Sequence, residues 1–197
     1  MRIHRALSVP LLLLFLFSLT VGISYGVEER PDFSLFEYKS GQKKSFNDIL
    51  LTRANVMVVT ETTCVSCIKE LRSLDWLRAK YRGDMAVIGV FVDREGESRV
   101  IRYLDYYKFD LDMFLVDPGN EIPLKFKVDF LPTMIIFDEK GNEVRRKKGF
   151  EQGDESLISA MVDEVLNRKR AAARAVPTPS ATAVAPEKRT TGCASTG

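Results

Sequence analysis

The sequence predicts an α/β sandwich, a mixed central β-sheet in a three-layer arrangement flanked by helices. Three observations carry this. Val56 to Thr60, Met85 to Val92 and Met134 to Phe137 are continuous apolar runs rich in β-branched residues, as expected of strands buried on both faces. Segments of helical period lie between them. The chain then closes with a hairpin pattern and a last amphipathic helix.

In chain order, Val27 to Asp32 is polar and reads as loose. Phe33 to Tyr38 alternates apolar and polar side chains, which predicts a short edge strand. Ser45 to Leu51 predicts a short helix with Ser45 as its N-cap. After Val56–Thr60, the stretch from Cys64 to about Arg82 sets Ile68, Leu71 and Leu74 on one helical face. Beyond Met85–Val92, the segment Glu97 to Lys108 aligns Val100, Ile101, Leu104 and Tyr107. Met113 to Val116 is a weaker strand pattern. Glu121 to Val128 predicts a short helix in which Pro123 must fall in the first turn. Asp138-Glu139-Lys140-Gly141 predicts the turn joining Met134–Phe137 to a strand over Glu143–Lys147. Leu157, Ile158, Met161, Val162 and Val165 give the final helix, Asp154 to Asn167, its apolar face.

The length of 197 residues, 45% hydrophobic and 28% charged, suits one ordinary globular domain with extensions. The net charge of +2 conceals a division. Positions 27–167 hold 21 Lys/Arg against 26 Asp/Glu, while the basic excess sits at the two ends. An acidic domain lacks the basic footprint that nucleic-acid binding requires. The single histidine, His4, falls in the N-terminal leader. Histidine-based catalytic triads and His-ligated metals or haem are thereby excluded from the domain.

Residues 1–26 read as a secretory signal peptide: Arg2 and Arg5, an apolar run from Leu11 onward, then Ser24 and Gly26 before a cleavage point. An N-terminal membrane anchor is the alternative, and both place the domain outside the cytoplasm, in the periplasm or an equivalent compartment. The domain is expected over residues 27–168. Residues 169–197, rich in Ala, Pro and Thr with a few basic residues, are expected to be a disordered tail.

Cys64-Val65-Ser66-Cys67 sits where a buried strand gives way to a helix. A helix N-terminus presents unpaired N–H groups and the positive end of the macrodipole. A thiolate there is stabilised and becomes nucleophilic near neutral pH. The second cysteine, one turn on, can attack a mixed disulfide and release the product, so the cycle needs no cofactor. Haem attachment would need His at position 68, which is Ile, and zinc would need more ligands than the chain offers. A structural disulfide is the remaining alternative, although a ring across one helical turn gains little loop-closure stabilisation. Cys193 is a lone thiol in the tail.

Pro132 opens the run Met134–Phe137 after Phe130-Leu131. A trans turn proline is one reading. A cis Leu131–Pro132 bond is the other, and it would turn the Leu131 backbone toward the cysteine pair and offer it to an extended substrate.

With these motifs in place, the sequence resembles the thioredoxin superfamily, and within it the exported TlpA/ResA-type thiol–disulfide oxidoreductases, over roughly Phe33 to Leu166. The resemblance rests on Cys64-Val65-Ser66-Cys67, the extra strand–helix stretch Met85–Lys108, and Val128 to Gly141 with its cis-proline loop, strand and turn. It implies that Cys64 attacks, Cys67 resolves, and Leu131 and cis-Pro132 bind substrate. It also implies that protein disulfides are the substrates, often in cytochrome c maturation, and that a membrane thiol-reductase is the electron donor. The protein is expected to act as a monomer. The chain departs from that pattern at Thr63, where a Trp is usual, at Val58, where a buried acid or amide is usual, and at Arg72, where a proline is usual. Glu70 matches the pattern. Glu61, three residues before Cys64, is a second carboxylate near the pair. Two other functions fit the residues less fully: a redox-inactive thioredoxin-fold adaptor, and a thiol peroxidase, which would need Thr where Glu61 stands.

Two further features are read as structural. Arg145-Arg146-Lys147-Lys148 is expected to be a charged edge strand that discourages aggregation. Trp76, Tyr103, Tyr106 and Tyr107 are expected to be packing and helix-surface residues.

Overall fold

The computed structural model describes residues 31–174, with side chains through Asn167. The expected leader, and the tail beyond Arg174, lie outside the described residues. Seven strands form one sheet: β1 (Leu35–Glu37), β2 (Lys43–Lys44), β3 (Ala54–Thr60), β4 (Met85–Phe91), β5 (Met113–Val116), β6 (Thr133–Asp138) and β7 (Glu143–Lys148). Their order across the sheet is β2-β1-β5-β4-β3-β6-β7. The central strands β3, β4 and β5 run parallel, and the flanking pairings are antiparallel.

The continuous apolar runs are continuous because both faces of the sheet are covered. One face packs under α1 (Val65–Lys80), α2 (Glu97–Tyr107) and α4 (Asp154–Arg174). Its core joins Val56, Val58, Val87, Phe91, Met134 and Ile136 to Leu71, Leu74, Val100, Leu104, Ile158 and Val162. The opposite face, with Met57, Val59, Ile88, Val90 and Ile135, is covered by a 3-10 turn (Asn47–Ile49), by α3 (Glu121–Lys125), and by Phe33, Phe46 and Phe126. Phe46 stacks edge-on against Phe137 with ring centroids 5.3 Å apart. At Gly89 a Cβ would stand 3.4 and 3.5 Å from the rings of Phe91 and Phe114, so a bare backbone lets both rings cross the strand.

Four expectations are corrected. The first strand is not the sheet's edge, because the chain turns back at Gly41 and β2 pairs outside it. The Glu37 carboxylate accepts the N–H groups of Lys39 and Ser40 and fixes that turn. The helix expected over Ser45–Leu51 is only the single 3-10 turn, with Phe46 at its N-cap. Ser45 is instead gripped by Asp48, which accepts both its N–H and its hydroxyl. The last helix continues to Arg174, past its expected end at Asn167, through the strong helix formers Ala171-Ala172-Ala173.

The fourth correction concerns the basic run. β7 is an outer strand, but its cations divide by the two-residue period of a strand. Arg146 and Lys148 point to the α3 side, where they meet Glu143 and Asp129. Arg145 and Lys147 point under the helices. Arg145 binds Glu164 of α4, and Lys147, only 8% exposed, binds Asp154 at the start of α4.

Candidate active site at the Cys64–Cys67 pair

The cysteine pair stands where β3, the central strand, hands over to α1. Cys64 is the N-cap of that helix, and the Cys67 backbone N–H donates to its sulfur at 3.2 Å. The Ser66 hydroxyl lies 3.3 Å from the same sulfur. Cys64 is partly exposed, whereas Cys67 is fully buried. The two sulfurs are joined in a disulfide, with Cα atoms 5.2 Å apart.

The approach to Cys64 is fastened by Asp93, which lies just beyond the end of β4. Its buried carboxylate accepts the Thr62 N–H at 3.1 Å and the Thr62 hydroxyl. Arg99 of α2 donates to Thr62 Oγ1 at 2.8 Å and lies 3.7 Å from Asp93. Glu61 is taken up by the Thr63 hydroxyl at 2.6 Å in the exposed loop.

The buried carboxyl of the site is Glu70. It lies three residues after Cys67, hence on the adjacent position of the same helical face. It is fully buried, and neither carboxyl oxygen has a hydrogen-bond partner. The nearest cation, the Lys147 ammonium, is 3.8 Å away, beyond hydrogen-bond length. Burial pushes the Glu70 pKa up to about 8; Lys147 opposes that rise and the Asp154 charge adds to it. The carboxyl is therefore mostly protonated at neutral pH. Val58, where an acid is usual, is a fully buried core residue.

Glu70 was legible as a match to the family pattern, but its burial was not drawn from the sequence. The signal was there: Cys67, Glu70, Leu71, Leu74 and Leu77 repeat at three- and four-residue intervals, and all are buried.

The Leu131–Pro132 bond is cis. β6 pairs with β3 so that Thr133 faces Val59, which brings Pro132 to the end of the sheet where Cys64 lies. The Pro132 carbonyl accepts the Gly149 N–H at 2.8 Å and ties this loop to the end of β7. The Leu131 side chain packs into the opposite core, so its backbone is what it can offer at the site. Next to the pair opens a groove of about 480 Å³, lined by Ser66, Phe130, Lys147, Phe150, Asp154 and Leu157 among others. Phe130 at its rim is 57% exposed and Val65 beside Cys64 is 67% exposed. Among the described residues no cluster of acids, cysteines and histidines could hold a metal ion. Also among them, no helix is long and apolar enough to cross a membrane.

A mixed sheet with parallel centre, a C-x-x-C disulfide at the N-terminus of the helix after the central strand, and a cis-proline at the neighbouring strand define a thioredoxin-like fold. Solved structures of thiol–disulfide oxidoreductases share it. A Chlorobium tepidum protein assigned as the thiol:disulfide interchange protein DsbE matches with a TM-score of 0.62 and 19% identity, over 69% of this chain and 94% of that one. The exposed lipoprotein thioredoxin Etrx1 of Streptococcus pneumoniae matches at 0.58 and 20% identity, over 68% and 98%. DsbF of MTB, solved in mixed oxidised and reduced forms, matches at 0.58 and 18%, over 68% and 96%. No protein-family model and no curated protein sequence matches the chain.

Proposed function

We propose that the chain is a thiol–disulfide oxidoreductase that reduces protein disulfides through Cys64 and Cys67. The observation that carries this reading is the sulfur pair itself. One sulfur is partly exposed and accepts the Cys67 N–H at the start of the helix, and its partner is buried beside an unpartnered carboxyl.

In the dithiol state the Cys64 thiolate is held by the Cys67 N–H and the Ser66 hydroxyl. It attacks a substrate disulfide. A bond forms between Cys64 Sγ and one substrate sulfur, and the other substrate sulfur leaves as a thiolate. Cys67 then gives its proton to the Glu70 carboxylate and attacks Cys64 Sγ. The mixed disulfide breaks, the second substrate sulfur leaves, and Glu70 holds the proton. A protonated Glu70 beside the closed disulfide is the state this sequence of steps ends in. The Leu131–Pro132 backbone and the groove beside Ser66 would receive the extended substrate segment.

The finer parts belong to the same proposal. The leader pattern and the likeness to an exposed lipoprotein thioredoxin support work outside the cytoplasm. The family resemblance supports a membrane thiol-reductase as electron donor and apocytochrome c among the substrates. The protein would work as a monomer.

Reduction of insulin disulfides by the full chain, with dithiothreitol as donor, tests the reading. Cys64→Ser should abolish turnover, and Cys67→Ser should accumulate a mixed disulfide with the substrate. A wild-type chain no faster than dithiothreitol alone would overturn it.

A further inference from the structure

Lys147 is placed unusually for a residue in a basic run. It lies opposite Met134 on β6, which in turn lies opposite Val58 on β3, so the sheet presents one apolar row that ends in an ammonium group. Three elements converge on that group. Asp154 at the start of α4 binds it at 2.6 Å, the Gly149 carbonyl accepts from it, and Glu70 of α1 stands 3.8 Å away with both oxygens unpartnered. The Phe150 ring lies 5.3 Å from the nitrogen. The next acid of α4, Glu155, is occupied by the Ser73 hydroxyl, which donates to it at 2.7 Å, and Asp154 also accepts the Glu151 backbone N–H. A single cation thus serves two carboxyl groups and bonds only one of them. The distance to the second would close with a shift of about 1 Å, within reach of a lysine side-chain adjustment.

We propose that Lys147 is a positioning residue that changes partner during the redox cycle. It pairs with Asp154 while Glu70 is protonated, and it moves onto Glu70 when that carboxyl is ionised. This rests on the proposed exchange reaction and adds to it the group that makes a buried base possible. An isolated carboxylate in that site would be too costly to form. In the dithiol state the ammonium holds Glu70 as an anion. Once Cys67 has delivered its proton to Glu70, nothing charged remains there to hold the ammonium, and it returns to Asp154. Reduction of the disulfide runs the sequence backward, and the proton returns from Glu70 to Cys67.

The two neighbours of Glu70 should then act on it in opposite directions, which general damage to the fold would not do. The proton on Glu70 can be followed in the full chain, oxidised, by the infrared band of the neutral carboxyl, assigned by its loss in Glu70→Gln. In the wild type the band should disappear with a midpoint near pH 8. Lys147→Met removes the cation and should move the midpoint up by about one pH unit or more. Asp154→Asn frees Lys147 for Glu70 and removes a like charge, so it should move the midpoint down by a similar amount. Lys147→Arg should keep it close to the wild-type value. Shifts of the same sign in Lys147→Met and Asp154→Asn, or no shift in either, would overturn the proposal. If Lys147→Met does not fold, a downward shift in Asp154→Asn supports the proposal and its absence overturns it. The band reports without turnover, so failure of the exchange reaction in the insulin assay is a separate result.

Discussion

Two buried acids flank the cysteine pair, and they are treated in opposite ways. Asp93 accepts from the Thr62 N–H and hydroxyl, has the Arg99 guanidinium 3.7 Å away, and fastens the loop that delivers Cys64. Glu70 is as deeply buried and has no hydrogen bond at all. A carboxylate supplied with donors acts as an anchor. An unsatisfied one is driven to the neutral form and becomes able to exchange a proton near neutral pH. The proposed chemistry of the site rests on this difference: partners are withheld from one acid and supplied to the other.

Substitutions at each acid can break this comparison. The largest stability loss is expected from Asp93→Ala, which strands the Thr62 N–H and leaves Arg99 without its buried anion. Urea denaturation should show a loss of about 3 kcal/mol. A loss below about 1 kcal/mol would mean that Asp93 is no anchor. For Glu70→Gln the main effect should be kinetic. Without its proton acceptor, resolution by Cys67 should slow about 100-fold in stopped-flow exchange with a model disulfide. Stability should respond in the other direction. Glu70 takes up its proton far more readily folded than unfolded, so its contribution is present in full at acid pH. That contribution fades as the pH rises from about 4.5 to about 8, by ~1.4 kcal/mol for each pH unit at most. Glu70→Gln should therefore gain on the wild type as pH rises from 5 to 9 in thermal unfolding. The smallest effect is expected at Ser66→Ala. Loss of the hydroxyl near Cys64 Sγ should raise the thiol pKa by about half a unit, read from the pH dependence of alkylation of the reduced protein.

The parallel centre of the sheet was plain in the sequence because strands buried on both faces cannot hide among polar residues. Val56–Thr60 and Met85–Val92 were placed within two residues of their observed limits. The cysteine pair and the proline were found as motifs, the cis bond through family resemblance. What was missed depended on side-chain direction. Four consecutive cations were read as one charged edge, although a strand sends alternate side chains to opposite faces. Reading the run as one charged edge leaves out that Lys147 lies beneath a helix. Tyr103 packs as expected: it lies in the core, with its ring centroid 5.7 Å from that of Phe91. The two-residue strand β2 was illegible, and the 3-10 turn legible only as a longer helix, because each is fixed by contacts at single residues, Glu37 and Asp48, rather than by a periodic pattern.

The turn between β6 and β7 lies at the far end of the sheet from the sulfurs. Asp138 accepts the N–H groups of Lys140 and Asn142 there, Gly141 takes the left-handed conformation, and the β6–β7 pairing shifts register between Ile136 and Phe137. These details set the phase of β7. Slipping that strand by one position would carry Lys147 to the α3 side and bring Arg146 or Lys148 under the helices, with a different reach and shape. A hairpin that touches no substrate would in this way choose which cation meets the buried acid, so sequence changes around Asp138–Asn142 would retune thiol chemistry from a distance.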